Sequence, residues 1–411
     1  RDLFVRVTAR IVRHYVIPAG CHSPQICTMP NVIQLSRADD HRDVVHRAVQ
    51  ALAEGKLVAF PTETVYGIAA SALDQQAVER LRVLKQRATD NPIALAIRSA
   101  EQALDYAPRM TTLAKRLARR CWPGPVTLVM DDDHPDSVLR QLPQEVQQAV
   151  CQNETVGLRV PAHTLILDVL KLIAGPLVLT SANRADEPET VTGDEVAATL
   201  GDDVDMILDD GRCQFGQPSS VVRVGNDNRL TILRAGVLGG PMLRRLSSLM
   251  VLFVCTGNTC RSPMAEILMK QRIAERLGCT LDELEDRGVL VMSAGIAAMA
   301  GGRCATEAAL VMRDRGLDLS THESQPLTER LVRFADLILT MTRGHREAVV
   351  AQWPSSANRT FVLGQERDVA DPIGGPRDLY AGCAAEIDGL LMNWFDRIDL
   401  NSIPTAVEEV Q

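Results

Sequence analysis

The stretch Val251-Leu-Phe-Val-Cys255-Thr-Gly-Asn-Thr-Cys-Arg261-Ser-Pro263 passes from a buried-strand pattern through a short polar loop into a helix. Gly257 stands where the backbone must turn tightly, and Pro263 suits the first turn of a helix, where its missing N–H costs nothing. Successive loop amides and the helix N-terminus then point at one spot, which favours a phosphate or another oxyanion. Cys255 enters that spot from the strand. The amide dipoles and the Arg261 guanidinium favour its thiolate, the form that attacks. The spacing alone is weak, because a cysteine followed six positions later by a basic residue arises about once by chance in this composition. The context separates the site from a buried strand-end cysteine with a solvent-facing arginine. It has a β-branched strand before it, Gly and Asn inside, Arg-Ser-Pro after, and an amphipathic helix, Met264 to Leu277, behind.

A chain of 411 residues is long for one core and predicts about two or three domains. The 46% apolar and 23% charged residues are those of a soluble globular protein. A formal charge of −8 excludes a global nucleic-acid coat or membrane-surface binder, so any weak tRNA contact has to be local. The 10 cysteines form no C-x-x-C pair and no zinc spacing, and the 8 histidines are scattered. These features predict a cytoplasmic protein with no tightly bound metal, and the lack of an 18-residue apolar run predicts no membrane span. Residues 1–30 begin at Arg1, are rich in basic residues and have no long apolar core. They read as a disordered leader rather than a signal peptide, with the folded part starting near Met29.

From Asn31 onward the pattern is α/β. A helix over Asp40 to Glu54 ends at Gly55, a strand follows over Lys56 to Phe60, and a second helix runs from Gln75 to Arg87. Pro61-Thr-Glu-Thr-Val-Tyr-Gly67 is too polar for a core strand and too specific for a linker. Further strands are expected at Asn91-Pro-Ile-Ala-Leu-Ala-Ile, after Trp122-Pro-Gly-Pro, at Val156-Gly-Leu-Arg-Val, before Ser181-Ala-Asn183, and at 218–224 and 230–234. So many strands with polar ends predict one twisted mixed sheet with helices over 31–238, its strand ends lining a cleft. Gly239-Gly-Pro and the Arg/Ser-rich stretch to Ser248 read as a linker over 239–248. Over 249–400, strands near 250–255, 289–293, 337–341 and 360–363 alternate with helices, which predicts a small parallel Rossmann-like sheet covered on both faces.

A cysteine nucleophile acting on a phosphate needs a proton donor for the leaving group, and Asp371 in Val369-Ala-Asp371-Pro372-Ile-Gly-Gly375 is the candidate. The late Asp-Pro together with Cys255-Thr-Gly-Asn-Thr-Cys-Arg-Ser-Pro resembles the low-molecular-weight protein tyrosine phosphatase family. That resemblance implies Cys255 as the nucleophile forming a phosphocysteine, Arg261 as the clamp on the equatorial oxygens, and Asp371 as general acid and then base. It also implies a phosphate loop of Thr256, Gly257, Asn258, Thr259, Cys260 and Ser262, with Asn258 and Ser262 holding the loop and the thiolate. Two departures, Thr259 for an aliphatic residue and Ile373-Gly374-Gly375 for aromatics, resemble the bacterial protein-arginine phosphatase branch and favour phosphoarginine over phosphotyrosine. Cys260 reads either as a small buried hydrophobe or as a thiol that traps Cys255 under oxidation.

In the first half, Lys85, Arg87, Arg159 and Arg234 are basic residues at strand or helix ends, and Thr62, Thr64, Ser181 and Asn183 are polar groups at equivalent places. Together they can hold a polyanion and a small polar ligand. Pro61-Thr-Glu-Thr-Val-Tyr-Gly, Lys85-x-Arg87 with Asn91-Pro, Trp122-Pro-Gly-Pro-Val-Thr-Leu, Arg159-Val-Pro, Ser181-Ala-Asn183 and Leu-Arg234-Ala-Gly resemble the YrdC-like threonylcarbamoyl-AMP synthase family. The resemblance implies that threonine, bicarbonate and ATP, the last a substrate with magnesium admissible beside it, condense to threonylcarbamoyl-AMP with release of pyrophosphate. The product would feed the machinery that modifies tRNA. Lys85 and Arg87 would face the leaving phosphates, Ser181 and Asn183 the nucleotide, and Thr62 with Arg159 the threonine. The expectation is therefore a bifunctional enzyme whose second half takes a phosphorylated protein. The alternative is a nucleotide- or RNA-binding module joined to a redox-sensing or tyrosine-specific phosphatase domain.

Overall fold

The structure, a computed structural model, describes residues 31–86 and 92–409. The expected leader over 1–30 and Arg87 lie outside the described residues. The strands of the first half are β1 Asn31–Gln34, β2 Val58–Phe60, β3 Gly67–Ser71, β4 Ala94–Ala96, β5 Val126–Asp131, β6 Cys151–Gln152, β7 Thr155–Arg159, β8 Leu177–Ser181, β9 Met206–Asp209, β10 Ser220–Val224 and β11 Arg229–Arg234. Those that follow are β12 Leu249–Cys255, β13 Val289–Gly295, β14 Leu337–Thr340, β15 Thr360–Val362 and β16 Ala406–Glu409.

The larger sheet has the order β1-β9-β2-β3-β8-β4-β7-β5-β10-β11-β16, with β6 paired to β7. It is mixed: β3 runs antiparallel to β2 and β8, whereas β4 and β7, and β5 and β10, are parallel. At β2 and β3 both faces are buried. Leu57, Ala59, Ile68 and Ala70 join one core, while Val58, Phe60 and Ala69 join the other, as the two-residue period of a strand requires.

The smaller sheet, β13-β12-β14-β15, is wholly parallel. Every residue of β12 is buried. Val251, Phe253 and Cys255 face one core and Met250, Leu252 and Val254 the other, which is why the strand reads as an unbroken apolar run. β13 and β14 flank β12 on opposite sides, so the strand order reverses there. A crevice opens at the carboxyl end of β12, where such sheets bind ligands.

Two segments differ from the sequence reading. Residues expected within the linker form a helix, Gly240–Ser247, with Pro241 in its first turn and Leu243 and Leu246 buried in the first core. Gly-Gly-Pro reads as a break, but proline at a helix start is pre-organised, and the three-residue spacing of the leucines gives the helix an apolar face. Beyond residue 400, β16 pairs in parallel with β11 and so joins the first sheet. Its Ala-Val-Glu-Glu sequence is too short and polar to announce a strand.

The two sheets meet across the helix Thr112–Cys121. Its Arg116, wholly buried, donates to Asp336 Oδ2 at 2.9 Å and to the carbonyls of Ser247 and Ser402 at 2.9 and 2.8 Å. Arg120 donates to Asp336 Oδ2 at 3.0 Å and to the carbonyls of Leu246 and Ser248, both at 2.7 Å. Arg119 reaches Asp336 Oδ1 at 2.6 Å. Asp336 Oδ2 also accepts the N–H of Met250, at the start of β12.

Candidate active sites

The chain leaves β12 at Cys255 and re-enters helix at Arg261, giving a loop whose polar groups turn inward. Asn258 takes a left-handed φ of 55° and is fully buried. Its backbone N–H donates to Cys255 Sγ at 3.2 Å. Its side-chain Oδ1 accepts from Gln325 N at 2.9 Å, which fixes the amide orientation, and its Nδ2 donates to Ser262 Oγ at 3.0 Å and Ser293 Oγ at 2.8 Å. Ser293 in turn donates to Glu266 Oε2 at 2.6 Å. A thiolate can only accept, so toward that form of Cys255 the Ser262 hydroxyl, 2.9 Å from Sγ, is the donor. Two donors therefore converge on the sulfur.

Arg261 is buried, and its guanidinium donates to Asp371 Oδ2 and, at 3.0 Å, to the carbonyl of Val369. The clamp and proton-donor candidates thus face each other over the loop, with Asp371 part-exposed. Cys260 is buried with its Sγ 3.5 Å from Tyr380 Oη. Thr259 offers its carbonyl to Ala305 N at 2.8 Å. Gly257 has nothing but the Thr259 hydroxyl within reach of where a Cβ would sit. Thr256 Oγ1 lies 2.9 Å from His345 Nε2.

Sequence reasoning missed both histidines that brace this loop. His322 Nε2 lies 2.9 Å from the Asn258 carbonyl, and His345 is buried beneath Thr256. Burial first, and then the Arg261 charge, pull the His345 imidazole below its ordinary value, against Asp371 and Asp368. Each histidine follows a different strand, so nothing in local spacing pointed to them.

In the first sheet, one face of β4, β5, β7, β10 and β11 walls a cavity of about 790 Å³ whose lining includes Thr62, Thr64, Arg159, Ser181 and Arg234. Alternate residues such as Thr127 and Val129 point into it, so it lies on the face of the sheet rather than only at the strand ends expected from the sequence. Arg159 donates to Glu63 Oε1 at 2.7 Å and to Thr64 Oγ1 at 2.9 Å, and Glu63 Oε2 accepts the N–H of Ala162 at 2.8 Å. Glu63, which lies within the Pro61–Gly67 motif, therefore fixes the guanidinium in the wall. Thr62 Oγ1 donates to the Val65 carbonyl at 2.6 Å and shares a hydrogen bond with Thr64. Arg234 donates to Ser219 O at 2.9 Å, and burial first lowers its pKa. Lys85 and Asn183 are set back from the lining: the ammonium donates to the Ser181 carbonyl at 3.1 Å and to Asn183 Oδ1 at 2.9 Å, and Ser181 Oγ donates to the same Oδ1 at 2.6 Å. Among the described residues, no group of three His, Cys, Asp or Glu is placed to hold a metal, and no helix is long and apolar enough to cross a membrane.

Comparison with known proteins divides the chain between β11 and β12. Residues 50–236 match the Sua5/YciO/YrdC family, described as telomere recombination, and residues 250–403 match the family described as low molecular weight phosphotyrosine protein phosphatase. A threonylcarbamoyl-AMP synthase of Pyrococcus abyssi is 39% identical over 41% of this chain, which spans about half (47%) of that protein's length. A protein-arginine-phosphatase of Bacillus subtilis is 40% identical over 34% of this chain and 91% of its own. The solved arginine phosphatase YwlE of Geobacillus stearothermophilus is 31% identical, covering 38% of this chain and 97% of its own, with a TM-score of 0.33. The chain belongs to the Sua5/YciO/YrdC family through its first half and to the low-molecular-weight phosphotyrosine protein phosphatase family through its second.

Proposed function

We propose that the chain is a bifunctional enzyme that makes threonylcarbamoyl-AMP and dephosphorylates proteins on arginine. The observation that carries the phosphatase reading is the convergence of Ser262 and Asn258 donors on Cys255 Sγ, with Arg261 and Asp371 paired over the same loop. The Cys255 thiolate attacks phosphorus, and the bond from phosphorus to the leaving atom breaks as Asp371 delivers a proton to that atom. Arg261 and the loop amides hold the equatorial oxygens. Water then attacks the phosphocysteine with Asp371 as base, releasing phosphate and restoring the thiolate. Preference for phosphoarginine is supported by Thr259 in the loop, by the exposed Ile373 and the Gly374-Gly375 that follow the Asp-Pro, and by the relatives named as arginine phosphatases.

The synthase reading is supported by the polar cavity walled by Arg159 and Arg234 and by the relatives named threonylcarbamoyl-AMP synthase. In it the threonine nitrogen bonds to the bicarbonate carbon with loss of water, and an oxygen of the resulting carbamate attacks the α-phosphorus of ATP, from which pyrophosphate leaves. Arg159 and Thr62 face the amino acid, Ser181 and Asn183 the nucleotide, and Lys85 the leaving phosphates. The adenylate would pass to the enzymes that modify tRNA. Matched phosphoarginine and phosphotyrosine peptides, assayed beside pyrophosphate release with and without threonine and bicarbonate, test both halves. Faster turnover of phosphoarginine and pyrophosphate release that needs both co-substrates are expected. A phosphotyrosine preference, or release indifferent to threonine, would contradict the respective half.

A further inference from the structure

His345 is the third residue of the helix Arg343–Gln352, whose N-cap is Thr342. Its imidazole is 6% exposed and engaged at both nitrogens: Nδ1 lies 3.0 Å from Thr342 Oγ1, and Nε2 lies 2.9 Å from Oγ1 of Thr256, the residue after the nucleophile. Both partners are hydroxyls, which donate or accept as needed. A neutral ring donates to one and accepts from the other, whereas a charged ring donates to both, so the side chain gains or loses a proton without leaving its place. The charged groups whose fields reach it are Arg261, from the loop and its helix, and Asp371 and Asp368, from the segment after β15.

We propose that His345 is a positioning residue of the phosphate loop that takes up a proton when a tetrahedral dianion enters, so that anion binding tightens as pH falls. The inference rests on the phosphatase reading of the loop. In the empty site, burial and then Arg261 disfavour the charged ring. A dianion opposite Arg261 offsets the cationic field and adds an attraction of its own, so the bound value lies above the free one. Between those two values binding draws a fraction of a proton from solvent, the larger the further apart the values lie. Below the free value the gain is complete, and above the bound value it is absent.

Sulfate is the probe, because it remains a dianion across about pH 5 to 8, where histidine titrates. The full chain carrying Cys255→Ser removes the thiol's own titration, and a second protein adds His345→Gln, which keeps a donor near Thr256. In the first protein, sulfate is expected to bind about three- to tenfold more tightly at the acid end, corresponding to a histidine shift of up to one pKa unit. In the second most of that gain is lost. Imidazole NMR of His345 in the Cys255→Ser protein reads the same event without altering the histidine, and its titration is expected to move upward when sulfate is added. Equal pH slopes in the two proteins, or a His345 titration indifferent to sulfate, overturn the proposal. If the unsubstituted chain still turns over a phosphate ester, the phosphatase reading survives that failure. Absence of both sulfate binding and turnover overturns the phosphatase reading and the proposal with it.

Discussion

At Cys255 the arrangement turns on the direction of a few hydrogen bonds. Gln325 fixes the Asn258 amide, Asn258 donates to Ser262 and Ser293, and the Ser262 hydroxyl donates to the sulfur in its thiolate form. Ser262→Ala removes that donor and leaves one Asn258 N–H unpaired in a buried site. A hydrogen bond to a charged group contributes about 1.5–3 kcal/mol, so phosphatase kcat/KM is expected to fall at least about tenfold. Steady-state kinetics with a thermal melt as control reads it, and an unchanged kcat/KM would show that the hydroxyl does not act on the sulfur.

At the scale of elements, the strand, loop and helix around Cys255 were legible because every local signal agrees: the apolar run of β12, the polar loop, and proline in the first helical turn. The alternation that defines the second sheet was equally plain, and its strands fall where the spacing put them. The supports of the loop were not legible. Ser293, the segment carrying His322 and Gln325, and His345 arrive from three other places in the chain, and the parallel pairing of β12 with β13 and β14 helps bring them together. Lys85 and Asn183 were legible as polar groups at the ends of elements, but neither their hydrogen bond to each other nor their position behind the cavity lining was. Gly295, which ends β13, shows how close these elements lie: a Cβ there would sit 2.4 Å from the Thr256 carbonyl and 2.9 Å from Asn258 N. Both are backbone atoms, so the loop itself has to move. Gly295→Ala is expected to lower phosphatase kcat/KM by about 100-fold, the cost of misplacing reacting groups by about 1 Å, while leaving pyrophosphate release intact. Retained kcat/KM would mean that the loop tolerates the shift.

Across the whole molecule, one carboxylate gathers three arginines. Burial alone would raise Asp336, but the charges of Arg116, Arg120 and Arg119 outweigh it and hold the carboxyl below its ordinary range. Its folded value lies below the unfolded one of about 4, so its contribution is present above that pH and is lost as pH falls toward the folded value. Asp336→Ala leaves two buried guanidiniums without their anion and is expected to cost about 3–5 kcal/mol in denaturant unfolding near neutrality, a deficit that narrows in acid. A deficit constant with pH would contradict the ionic account. Nothing in the local sequence singles out these arginines, because Asp336 lies far along the chain. The same junction keeps the loop at Cys255 on the opposite end of β12 from Met250, where Asp336 attaches. The two chemistries should therefore be separable in one polypeptide. The most direct test is to measure phosphatase turnover and threonine-dependent pyrophosphate release in the same preparation of the Cys255→Ser chain. The first is expected to disappear while the second matches the unsubstituted protein; phosphatase turnover that survives the substitution would rule out Cys255 as the nucleophile.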